Sequence, residues 1–204
     1  MTFEYTGSGD PARTLALLWR TAEPVGRRGR SELSVGRIAR AAIEVADEEG
    51  LDALSMRRVA ERLGVGTMSL YTYVPGKAEL FDVMLDLVYG EAHRSGAGGG
   101  WRARLARIAR ENRELHLRHP WLLRVATSRP ALGPNALAKY DHELRAIDGI
   151  GLTDLEMDAV LTLIDGLVHG MAGHDAERPG HPCRSFEFAL ARVLDGIDVL
   201  ISRR

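Results

Sequence analysis

In nearly every segment of this chain apolar residues recur at intervals of three and four, the spacing that lays a stripe along one side of a helix. Ser34 precedes the first strong stripe, Val35, Ile38, Ala39, Ala42, Ile43 and Ala46, which Gly50 closes. Ser55 then caps Met56, Val59, Ala60 and Leu63, and Gly64 ends that helix because glycine tolerates the left-handed conformation of a helix terminus. Thr67 restarts the chain as a short helix with Leu70 and Val74 facing inward, and Pro75-Gly76 stops it. From Lys77 the positions Leu80, Phe81, Met84, Leu85 and Val88 form a further helix to about His93, broken by the glycine-rich stretch 95–100. Helices are predicted from Trp101 to His119, in a short turn after Pro120, from Asn135 to Asp148, from Thr153 to about Asp175 and from Ser185 to Ser202. Pro11 to Thr21, with Leu15, Leu18 and Trp19 on one side, reads as a short helix that packs on the body or frays, with a functional arm as the alternative. The pattern predicts an all-α fold.

The stretch from Ser55 to Lys77, SMRRVAERLGVGTMSLYTYVPGK, is two short helices around a glycine turn, the grammar of a helix-turn-helix. Its second helix turns Met68, Ser69, Thr72 and Tyr73 away from the first. Hydroxyls can donate or accept at base edges, and Met68, threonine methyls and a tyrosine ring can touch a thymine methyl. Arg57, Arg58, Arg62 and Lys77 against Glu61 leave a local balance of +3 in a chain whose total is −1. The positive charge therefore gathers at the motif.

Leu33 to Leu85 resembles the tetracycline-repressor (TetR) family of bacterial regulators, most sharply over RRVAERLGVGTMSLYTYVPGKAELF, with its Leu70-Tyr71 pair and the lysine that opens the next helix. Val74 stands where the family most often has phenylalanine, and Pro75-Gly76 where its turn is usually more polar. The resemblance implies double-stranded DNA contacts by Arg57, Thr67, Met68, Ser69, Tyr71, Thr72, Tyr73 and Lys77. It implies a three-helix DNA-binding domain over 33–80 after an extension over 1–32, then a ligand-binding and dimerisation domain over 81–204.

Composition narrows the class. With 45% hydrophobic residues in 204, the chain can bury a sizeable core, and no apolar run approaches the roughly 20 residues of a membrane span. No targeting segment is visible, so a cytoplasmic protein without membrane contact is expected. A lone cysteine, Cys183, excludes an intrachain disulfide. Arg27, Arg28 and Arg30 before the first helix fit either a minor-groove arm or a solvated linker.

In the C-terminal half, polar residues interrupt otherwise apolar faces. Asn112, His116, Trp121, Tyr140, His169 and Met171 are the candidates for lining a small-molecule site, weighed evenly against ordinary core positions. The helix from Lys77 to about His93 is the natural lever between that site and the DNA-binding end. Thr162, Gly166, Gly170 and Gly173 form a small-residue strip, and Leu190, Val193, Leu194, Ile197 and Ile201 an apolar one. Paired with their copies, these two helices predict a two-fold homodimer with a four-helix interface and hence a palindromic operator. His169, His174, His181 and Cys183 match no zinc spacing, and neither a metal nor any cofactor is expected. Nucleophile elbows, phosphate loops and metalloprotease motifs are absent, so the sequence proposes no enzyme. The reading is a ligand-released repressor, with a dimeric small-molecule carrier lacking operator binding as the alternative.

Overall fold

The computed structural model describes residues 4–5, 9–19, 33–92, 98–126, 132–177 and 182–202. These residues form the helices α1 (Pro11–Leu18), α2 (Val35–Glu49), α3 (Met56–Leu63), α4 (Thr67–Tyr71), α5 (Lys77–Tyr89), α6 (Trp101–Arg118), α7 (Pro134–Ile147), α8 (Asp154–Glu177) and α9 (Pro182–Ser202). Short 3₁₀ turns lie at Leu51–Ala53 and Pro120–Arg124. The all-α reading gains one addition, a two-residue parallel pairing in which Glu4 lies opposite Val125 and Tyr5 opposite Ala126. None of the described helices is long and apolar enough to cross a membrane. The basic residues Arg27, Arg28 and Arg30 lie outside the described residues, as does His181.

Two compact units make up the chain: Met1–Glu91 with Arg124–Leu137, and Ala92–Leu123 with Ala138–Arg204. The boundary drawn at residue 80 falls inside α5, whose Leu80, Phe81, Met84, Leu85 and Val88 are all buried. With that face packed on α2 and α1, α5 sits wholly in the first unit, which runs on to Glu91.

Local chemistry sets the first unit's elements. The Ser34 hydroxyl accepts from Arg37 N at 3.2 Å and the Ser55 hydroxyl from Arg58 N at 3.1 Å, capping α2 and α3. Asp10 caps α1 in the same way. On α1 it is Thr14 and Leu18 that are buried, while Leu15 and Trp19 are largely exposed, so the inner side is rotated from the predicted one. The Trp19 indole instead donates to the Leu132 carbonyl at 3.0 Å.

Residues beyond 123 complete this unit. Arg124 forks onto Asp52 through two 2.8 Å bonds. Asp86, 4% exposed on α5, accepts from Asn135 N (3.0 Å), Asn135 Nδ2 (3.0 Å) and Ala136 N (2.9 Å), and so caps α7 from another helix. Gly133 makes that approach possible, since a Cβ there would meet the Asp86 carboxyl.

The second unit is built around Leu105, Ala109, Ile147, Val160, Ile164, Val168, Phe186, Leu190, Leu194 and Ile197, contributed by α6, α7, α8 and α9. Thr153 and Glu156 form a reciprocal capping box at the start of α8: the Glu156 carboxylate accepts from Thr153 N at 2.8 Å and the Thr153 hydroxyl from Glu156 N at 3.4 Å.

Candidate functional site

The helix-turn-helix is held at its turn and beneath its second helix. Gly64 lies at φ 67°, ψ 32°, and two backbone bonds wrap the end of α3: Val65 N to Ala60 O at 3.0 Å and Gly64 N to Glu61 O at 3.2 Å. This is the paired pattern that satisfies the last carbonyls of a helix when glycine adopts the left-handed conformation. Leu70 and Val74 are completely buried, docking α4 from below. α4 is shorter than the predicted stretch, ending at Tyr71. Thr72 continues in helical conformation, and Tyr73 N and Val74 N both bond Leu70 O at 2.9 Å.

The positions expected to face DNA divide by exposure. Met68 is 78% exposed and Tyr71 43%, and Ser69 and Thr72 are also exposed. Thr67, Tyr73 and Lys77 are half-buried. Arg57 stands at the start of α3 with its side chain 83% exposed, its guanidinium Nε bonding Glu61 at 2.9 Å.

The positive balance counted along the motif does not survive in space. Arg58 grips Glu49 of α2 through bonds of 2.6–3.0 Å. Arg62 bonds both oxygens of Glu48, one at 2.7 Å, and reaches Glu44 at 3.3 Å. Two of the four cations therefore clamp α3 to α2, a role invisible to a local charge count. Hydrogen bonds from Arg62 and Arg58 hold the Glu48 and Glu49 carboxyls below their ordinary value of 4.5, despite an opposing effect of desolvation. Because the folded values are the lower ones, the stabilisation is complete above pH 4.5 and is lost as pH falls from there through the folded values. Circular-dichroism melts across that range should show an acid-side loss of stability, and Glu48→Gln with Glu49→Gln should reduce it, leaving the share of Asp52, Glu61 and Glu187, which arginines also hold low.

In the second unit the six proposed lining residues do not converge as a set. Asn112, 5% exposed, donates to the Glu143 carboxylate at 2.9 Å, and Lys139 Nζ lies 2.5 Å from the same oxygen. His116 and His169 meet edge to face with centroids 5.7 Å apart. His116 Nδ1 lies 2.9 Å from the Asn112 carbonyl, which can only accept, so Nδ1 carries the proton. Burial is the main cause that lowers the His116 pKa from 6.5, against the pull of that hydrogen bond and of Asp165, and the neutral form is favoured at neutral pH. Asn112, His116 and His169 thus belong to one polar cluster inside an apolar core.

Tyr140 does not join it. Its ring is 40% exposed and its hydroxyl donates to Asp158 at 2.7 Å on the surface, because the turn of α7 that carries it faces outward along with Leu137. Trp121 is buried beside His119, at 6.1 Å between centroids, and Met171 is half-buried against the apolar core. Glu143 and Lys139 were missed from sequence. The signal was there: Glu143 lies three and four residues before the inward Ala146 and Ile147. A separate open groove of about 500 Å³ between α6 and α9, lined by Arg102, Arg110, Glu187 and Leu190 among others, contains none of the six.

The proposed interface residues also separate. Thr162, Gly166 and Gly170 are exposed on α8 beside Leu155 and Leu163, and Gly173 is half-buried. Leu190, Leu194 and Ile197 are instead buried in the chain's own core, and Val193 and Ile201 pack against it. Phe188, Gly196, Val199 and Leu200 form the outward side of α9.

A capped three-helix core that presents a short, nearly uncharged helix is the architecture of a helix-turn-helix regulator. The family described as "Bacterial regulatory proteins, tetR family" matches residues 38–84, and "Tetracyclin repressor-like, C-terminal domain" matches residues 95–182. The HTH-type transcriptional repressor DrrR1 of Streptomyces coeruleorubidus is 41% identical over 98% of this chain and 90% of its own. The ActR protein of Streptomyces coelicolor, solved with (S)-DNPA, superposes with a TM-score of 0.75 at 27% identity, over 83% of this chain and 98% of that one. A TetR variant from Acinetobacter baumannii AYE, solved with minocycline, gives 0.72 at 25%, over 83% and 99%. The chain belongs to the tetracycline-repressor family of bacterial transcriptional regulators.

Proposed function

We propose that this protein is a cytoplasmic repressor that binds a palindromic operator as a homodimer and lets go when a small molecule enters its C-terminal unit. The observation that carries the reading is α4: a five-residue helix that cannot sustain itself in water, anchored by Leu70 and Val74 so that Met68, Ser69, Tyr71 and Thr72 stand out rigidly. Such a helix serves to be presented to a groove. Arg57 and Lys77 flank it as the phosphate or base contacts. The outward faces of α8 and α9 form the dimer interface, which sets the spacing of two recognition helices by symmetry.

The effector site is the cluster of Asn112, His116 and His169 extended by Lys139 and Glu143. The relatives solved with (S)-DNPA and minocycline support a small organic effector. An effector acts by binding more tightly to the conformer whose recognition helices are misplaced. In this reading the DNA-reading unit is Met1–Glu91 with Arg124–Leu137, and the effector and dimerisation unit is Ala92–Leu123 with Ala138–Arg204.

Selection of bound DNA from a random pool, repeated at two salt concentrations, tests the reading. The expected result is an enriched palindrome whose affinity falls steeply with salt, by about 0.9 logarithmic units per neutralised phosphate for each tenfold rise. A folded dimer that enriches no sequence would overturn it in favour of a small-molecule carrier.

A further inference from the structure

We infer that the recognition helix reads its half-site chiefly through thymine methyl groups, with Met68, Tyr71 and Thr72 as the residues that set specificity. This rests on the operator reading above and gives that site its base chemistry. Between Leu63 and Lys77 the chain has no arginine, lysine, asparagine, glutamine, aspartate, glutamate or histidine. Those are the side chains that form bidentate or directional pairs with guanine, adenine or cytosine edges, each worth about 1–3 kcal/mol of discrimination.

What α4 presents instead is a stripe at i, i+3 and i+4: the thioether of Met68, the ring of Tyr71 and the methyl of Thr72. Met68 is the most exposed of them at 78%, an apolar side chain held in water on a helix fixed from beneath. The group in the major groove that such a stripe can recognise is the C5 methyl of thymine. The hydroxyls of Ser69 and Thr72 can donate or accept, so they tolerate several bases and discriminate weakly. Nor do Arg58 and Arg62 supply a guanine reader, since both are held by glutamates of α2. Arg57 and Lys77 are the alternative readers at the flanks of α4, and Arg57 already bonds Glu61 at 2.9 Å.

The experiment uses the full-length protein and the operator enriched from the random pool. Each thymine is replaced in turn by deoxyuridine, which keeps every hydrogen-bonding edge and removes only the methyl. The expected loss is about 4-fold for each contacted thymine, the weight of one methyl-sized group withdrawn from water, and the losses multiply across the two half-sites. In Met68→Ala, a surface change that leaves the core intact, the penalty at one thymine per half-site vanishes while the others persist. Full affinity for an operator with every thymine replaced would overturn the inference. So would enrichment of half-sites that tolerate deoxyuridine but lose binding on 7-deazaguanine substitution, which would place the readout on a flanking cation, Arg57 or Lys77. A protein that enriches no sequence removes the operator reading itself, and this inference with it.

Discussion

Replacing Gly166 and Gly170 together by arginine is expected to convert the protein from a dimer to a folded monomer. Both glycines lie on the outward side of α8, and a Cβ added at either meets nothing within 4 Å in the single chain. Inside one protomer the change costs nothing sterically. It should even favour the helix, since glycine is about 0.8–1.0 kcal/mol worse than alanine in a helix interior and arginine is close to alanine. With this face of α8 in the two-fold interface, the two protomers would bring four guanidinium groups into it, and charges buried there without partners oppose association. Sedimentation should show a monomer with unchanged helix content, and its melting temperature should no longer rise with protein concentration. Operator affinity should fall by about 10²–10⁴-fold, the factor lost when two linked half-site contacts become independent. A variant that remains a dimer would move the interface off this face of α8.

Leu70→Ala should disable DNA binding without reaching the second unit. Leu70 is completely buried under α4, and truncating a buried leucine costs about 2–5 kcal/mol. The loss falls on a helix of five residues whose order depends on that anchor. Even the lower figure shifts the order–disorder equilibrium of α4 by roughly 30-fold, so the presented stripe would be ordered a smaller part of the time. The expected outcome at that figure is a loss of operator affinity of up to about 30-fold per half-site, with dimerisation intact. Operator binding within a few-fold of the parent would mean that α4 is held by something other than its buried face.

Features written into neighbouring residues were legible from sequence. Ser34, Ser55 and Gly64 act within one turn of themselves, and each does what its chemistry predicts. The recognition helix was placed correctly but drawn too long, because the tightening after Tyr71 depends on Leu70 being seated. Periodicity identified the apolar side of α9 through Leu190, Leu194 and Ile197, yet it cannot tell a chain's own core from a partner's surface, and these residues fill the former. The stripe of Tyr140 shows the same limit: Leu137 and Leu144 share it, yet Leu137 and Tyr140 are both exposed. Arg58 and Arg62 count toward the motif's positive balance because their glutamates sit 9 to 18 residues away on α2. A local charge count cannot see that partnership.

The first unit is discontinuous along the chain, and this bears on how the protein comes into being. Arg124–Leu137 supplies the acceptor for Trp19, the fork for Asp52, the donors for Asp86 and the partner strand for Glu4–Tyr5. During synthesis the DNA-reading part therefore waits, unfinished, until the segment beyond residue 123 has left the ribosome. At the usual 5–20 residues per second that interval is on the order of seconds. A fragment cut at residue 91 would reproduce this nascent state permanently, with a buried carboxylate at Asp86 stripped of all three of its donors. The smallest piece that carries the complete DNA-reading unit must therefore run through α6 and into α7.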